Sequence, residues 1–100
     1  NELTKAWAGM TTGEYKAYKG LKKESLRDNM TNTELVLNML AEVSTTEISR
    51  ATNPQGLEPS KKVAQQGGAI AKNARQELEE KTGKSAISKH TAKDIKELDK

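Results

Sequence analysis

Apolar side chains recur along this chain at spacings of three and four, which predicts helices rather than strands. The clearest run is Leu35-Val36-Leu37-Asn38-Met39-Leu40-Ala41-Glu42-Val43. At about 100° per residue, Leu35, Val36, Met39, Leu40 and Val43 share one broad face, while Leu37, Ala41 and Ile48 lie on another. Glu34, Asn38, Glu42 and Thr45 form the narrow polar stripe that remains. A helix apolar over so much of its circumference is expected to be surrounded by others, so 32–50 is read as the central helix. Thr31-Asn32-Thr33-Glu34 opens it as a capping box, in which hydroxyl and carboxylate each accept a leading backbone N–H. Thr11-Thr12-Gly13-Glu14 repeats the device ahead of a short helix that carries Tyr15 and Tyr18 and stops near Gly20. Residues 20–30 read as another short helix through Leu21 and Leu26.

Asn53-Pro54-Gln55-Gly56 is a turn, and Pro59 suits the first turn of the helix after it. Val63, Gly67, Ile70, Ala74 and Leu78 then follow one face from Ser60 to Thr82, with Gly83 as the stop. The Gly67-Gly68 pair inside this run costs about 2 kcal/mol relative to two alanines. Either a close helix crossing over Ala64, Gly67, Gly68 and Ala71 offsets that cost, or the helix breaks there; the crossing is the favoured reading. Residues 84–87 look extended, and Ser88 or Thr91 caps a last helix through Ile95 and Leu98. The expectation is an all-α fold: one domain over residues 1–100, a small irregular bundle of about five or six helices.

Composition narrows the classes. Only 33% of the chain is hydrophobic, and Leu, Ile and Val together number 16 with no Phe, so the core must be small. A net charge of +3 is too low to force disorder. Absence of cysteine excludes disulfides and thiolate metal sites, and one histidine excludes a His-based metal cage. The longest apolar run is far below a membrane span, and no signal peptide is visible. The chain opens on Asn1 rather than Met, so it is read as a piece of a longer protein, in a cytoplasmic setting.

Two long phrases carry a resemblance. One is Tyr18-Lys19-Gly20-Leu21-Lys22-Lys23-Glu24-Ser25-Leu26-Arg27-Asp28-Asn29-Met30-Thr31, continued by Thr33 to Glu42 and Ser44 to Ile48. The other is Lys61-Lys62-Val63-Ala64-Gln65-Gln66-Gly67-Gly68-Ala69-Ile70-Ala71, continued through Asn73 to Glu79 and Thr82-Gly83-Lys84. Over most of residues 14–92 the wording resembles the DNA-damage-inducible protein D family, related to phage BRO-type proteins. The resemblance implies a C-terminal region that follows a BRO-like DNA-binding domain in a bacterial damage (SOS) response or prophage protein. It implies no catalytic residue here.

Candidate sites follow from charge. Lys61, Lys72 and Arg75, with Lys62 beside them, lie away from the Val63, Ile70, Ala74 face, and no acid stands between Ser60 and Gln76. Lys84, Lys89, His90 and Lys93 form a second acid-free cluster beside hydroxyls and an expected helix start. Both sets suit the phosphates of single- or double-stranded DNA; the plainer reading of each is a solvated surface or a capped turn. Tyr15 and Tyr18 interleave with lysines as in single-strand binders, and Trp7 is a possible anchor for a partner, but core positions are the favoured reading for all three. No paired carboxylates, Walker loop or dinucleotide fingerprint is present, so a non-enzymatic module with no metal or cofactor is expected. Its expected partners are DNA, a recombination protein or a second copy of itself.

Overall fold

The computed structural model describes residues 2–91. Four α-helices follow in order: α1 (Glu2–Ala8), α2 (Thr12–Lys19), α3 (Asn32–Thr52) and α4 (Leu57–Thr82). A single 3-10 turn, Arg27–Asn29, separates α2 from α3, and the described residues contain no strand. The class is all-α, with four helices among the described residues where five or six were expected of the whole chain. The expected last helix through Ile95 and Leu98 lies outside the described residues. No helix among those described is long and apolar enough to cross a membrane.

The helix expected over 20–30 does not form. Gly20 takes φ 75° and its N–H caps the carbonyls of Lys16 and Ala17, which ends α2. Residues 22–25 are then four exposed polar residues in a row, with no face to bury. So short a segment has little helical stability without tertiary packing. Leu21 and Met30 anchor its two ends in the interior instead.

Both capping boxes close. Thr11 Oγ1 accepts from the Glu14 N–H at 3.1 Å and Glu14 accepts from the Thr11 N–H at 2.9 Å. Thr31 and Glu34 repeat the pair at 3.2 and 2.9 Å. Thr11→Ala removes one of these caps and should cost about 1 kcal/mol in a urea titration.

α4 turns back along α3 through Asn53 (φ 48°) and Gly56 (φ 88°) and continues unbroken through Gly67-Gly68. A Cβ on Gly67 would lie 2.6 and 2.8 Å from the backbone N and Cα of Thr45 in α3. One on Gly68 would meet Ala6 and, at 3.2 Å, the Leu3 carbonyl of α1. Each glycine therefore admits a different helix, and Ala71, fully buried, extends the close approach one turn further.

The core gathers Trp7, Ala8, Tyr15, Met30, Leu37, Ala41, Ala71 and Ile87. Trp7 and Tyr15 are fully buried, with ring centroids 6.1 Å apart in an edge-to-face arrangement, and Trp7 Nε1 donates to Asn38 Oδ1 at 3.2 Å. Neither ring is available to a partner. With so few large apolar residues in the chain, these two are consumed by the core, and of the three aromatic residues only Tyr18 stays exposed.

α3 departs from its expected surroundings. Its inward residues are Glu34, Leu37 and Ala41, whereas Val36, Met39 and Val43 face solvent. α1 and α4 cover one side of α3, and no described element covers the other. The closest backbone approach, at Thr45 and Gly67, selects the inward face, so the Glu34, Leu37, Ala41 side rather than the widest apolar arc points inward.

Candidate functional site

Two groups of polar residues merit attention: a buried ionic knot and the cations on the surface. The knot centres on Glu34, whose side chain is closed to solvent. Glu34 stands seven residues before Ala41, nearly two full turns, which puts both on the inward face of α3. Its Oε1 accepts from Lys19 Nζ at 2.8 Å as well as from the Thr31 N–H, and its Oε2 accepts from the Tyr15 hydroxyl. Lys19, the last residue of α2, is equally closed to solvent and also donates to the His90 carbonyl at 2.6 Å. Burial, reinforced by the neighbouring carboxylate, pushes the Tyr15 hydroxyl far above its ordinary value, so it stays neutral and donates.

This knot ties the segment after α4 to the bundle. Ile87 is buried, the Ala86 N–H donates to Glu79 Oε2 at 2.9 Å, and the His90 carbonyl is held by Lys19. The sequence reading placed Glu34 in a narrow polar stripe and in a capping box, and gave Lys19 no role. The available signal was the shared face of Glu34, Ala41 and Ile48, spaced at sevens.

The structure divides the predicted cations. Lys61 is exposed but lies 3.7 Å from Glu2 of α1. Arg75 is not a surface cation: it is largely buried, 3.6 Å from Glu79, and its Nε has no hydrogen-bond partner among the described residues. It turns toward α2 and the Tyr15 side of the core, where its charge opposes the rise in the Tyr15 value. Lys89 stands 5.3 Å from the centre of the Tyr18 ring, a cation–π contact rather than a free charge. Lys62, Lys72 and Lys84 are exposed, with no ion pair among the described residues. Lys84 and His90 line one hollow of about 390 Å³ beside Thr31, Thr33 and Ser88. Lys93 lies outside the described residues. The cations thus do not form one patch: Lys61, Lys62 and Lys72 share the outer side of α4, and Lys84 and His90 sit beyond its end.

Ala64 is half-buried on α4 one turn before the glycine pair. Among the described residues no group of three or more His, Asp or Glu is placed to hold a metal ion. No protein-family model, curated protein or solved structure matches the chain.

Proposed function

We propose that the chain is a non-catalytic module of a DNA-damage-inducible or prophage-type bacterial protein, cytoplasmic, that adds sequence-independent phosphate contacts to a nucleic-acid-binding assembly. The observation that supports it is the outer side of α4. From Ser60 to Gln76 that helix exposes Lys61, Lys62 and Lys72 among Gln65, Gln66, Asn73 and Gln76, without one carboxylate. Lysines so placed meet phosphates as point charges, and amides supply further donors to backbone oxygens. The Lys61–Glu2 pair is solvent-exposed, and such pairs contribute little, so it yields readily to a phosphate.

The binding this predicts is weak and strongly salt-dependent. Each neutralised phosphate adds about 0.9 to the slope of log affinity against log salt on duplex DNA, so three unpaired lysines give a slope near −3. Fluorescence anisotropy on single- and double-stranded DNA at two salt concentrations measures it. Lys62→Ala/Lys72→Ala/Lys84→Ala should flatten the slope and abolish binding at moderate salt. Undetectable binding at low salt, or binding that holds its strength as salt rises, ends this reading.

A second reading is assembly without nucleic acid, as a docking module for a recombination protein or as a structural domain. The exposed apolar row on α3 favours it.

A further inference from the structure

We infer that the hollow where the start of α3, the end of α4 and the segment after α4 meet is a binding site for a phosphomonoester. Its volume, about 390 Å³, lies at the small end of the roughly 300–1,000 Å³ typical of ligand sites. Thr31 and Thr33 line it from α3, Lys84 and Ser88 from the segment after α4, and Leu78 and Ala86 give it an apolar wall. It lies beyond the end of the α4 cation row and does not depend on that row.

The donors select the ligand. Thr31 Oγ1 accepts from the Glu34 N–H and Ser88 Oγ from the His90 N–H, so the proton of each hydroxyl is left to donate. The Thr33 hydroxyl and the Lys84 ammonium have no partner among the described residues. No carboxylate among the described residues lines the hollow. The two carboxylates bonded to its lining residues, Glu34 and Glu79, are neutralised by Lys19 and Arg75. Three hydroxyls and one cation, set on walls from two parts of the chain, therefore face a common space. A carboxylate offers its two oxygens in one plane, whereas a phosphomonoester spreads three terminal oxygens and carries nearly two charges at neutral pH. A diester inside a strand carries one.

One buried ion pair fixes both walls. Glu34 Oε1 accepts from the Thr31 N–H at 2.9 Å and from Lys19 Nζ at 2.8 Å. Lys19 Nζ donates onward, at 2.6 Å, to the carbonyl of His90, which also lines the hollow. The buried Ile87 and the bond from the Ala86 N–H to Glu79 hold the segment in between. A buried ion pair is weak evidence for stability by itself. Here its connections set donors from distant parts of the chain at a fixed separation, which lowers the ordering cost of binding.

Inorganic phosphate, added to the full chain from about 0.1 to about 20 mM at constant ionic strength, is the first probe. In NMR spectra of the labelled chain the amides of Thr33, Lys84 and Ser88 should shift together along one saturating curve. Lys84→Ala should weaken that curve at least about tenfold, as loss of a charge-assisted contact does. Thr33→Val, at an exposed position, should weaken it about threefold. Lys22→Ala, an exposed lysine elsewhere, should leave it unchanged. Acetate should not move these amides. A single-stranded oligonucleotide with a 5′-phosphate is then compared with the same strand ending in a 5′-hydroxyl. Tighter binding of the phosphorylated strand identifies a strand end as the source of the phosphate, and equal binding identifies a small phosphomonoester. Absence of a saturating shift, an equal response to acetate, or a wild-type curve from Lys84→Ala overturns the proposal. Covalently closed duplex DNA has no strand end and reads the α4 row in a separate assay, so failure of either proposal is distinguishable from failure of the other.

Discussion

Glu34→Gln should lower the stability of this fold by about 3–5 kcal/mol, a large share of the roughly 5–15 kcal/mol that holds a small domain together. Glutamine keeps the capping geometry, since it too reaches back to the Thr31 N–H. What it removes is the charge opposite Lys19, whose ammonium is closed to solvent and sits 2.8 Å from the carboxylate. A buried ammonium without a counter-ion carries its full desolvation cost, and among the described residues Lys19 is ion-paired with Glu34 alone. The contrast that identifies the cause is Lys19→Met/Glu34→Gln. With both charges gone, most of the loss should return, although the His90 carbonyl loses its donor. Urea titrations followed by the fluorescence of the single, fully buried Trp7 give all three values. A single-variant loss under about 1 kcal/mol, or a double variant no better than the single, contradicts the argument.

The same knot predicts a response to alkali. Tyr15 ionises far above its ordinary value near 10 in the folded chain, and only the unfolded chain ionises it normally. Its contribution is complete below pH 10 and declines as pH rises beyond that, because the unfolded state then gives up the proton first.

Gly67→Ala should destabilise by about 2 kcal/mol or more, although alanine is the better helix former by about 1 kcal/mol. The added methyl would meet the backbone N and Cα of Thr45 at 2.6 and 2.8 Å, atoms that cannot rotate aside. α3 and α4 must separate to admit it, which loosens the packing around Ala41 and Ala71. Gly68→Ala should cost less, since α1 has only seven residues and can shift as a unit. Ala69→Gly, exposed on the same helix, isolates propensity alone at about 1 kcal/mol. In thermal melts each kcal/mol moves the midpoint by roughly 4–8 °C. If Gly67→Ala raised the melting temperature, the crossing would be looser than these distances require.

Helix starts and stops were legible because they depend on residues within four positions of one another. Thr11 with Glu14, Thr31 with Glu34, and the left-handed Gly20 and Gly83 are complete local devices. The segment 20–30 misled because Leu21 and Leu26, five apart, fall about 140° from each other on a helix and share no apolar face, and the polar residues between them have nothing to pack against.

The candidate site was less legible, and charge explains why. A lysine reads alike in sequence whether it meets water, an acid or a ring. Lys61 lies beside Glu2, which is 59 positions earlier, Lys19 beside Glu34 across two elements, and Lys89 over Tyr18 from the far end of the chain. Only the fold brings such residues together, so the candidate cations among the described residues separate into paired, packed and open ones.

Local sequence was sufficient for α2, α3 and α4, the two capping boxes and the all-α class, because backbone hydrogen bonding and apolar period are short-range properties; it left α1 unread and placed a helix over 20–30 that does not form. It could not say which side of α3 would turn inward. That choice rests on the backbone approach of Gly67 to Thr45, a contact between residues far apart in the chain, which puts Glu34 in the core while leaving Val36, Met39 and Val43 outside.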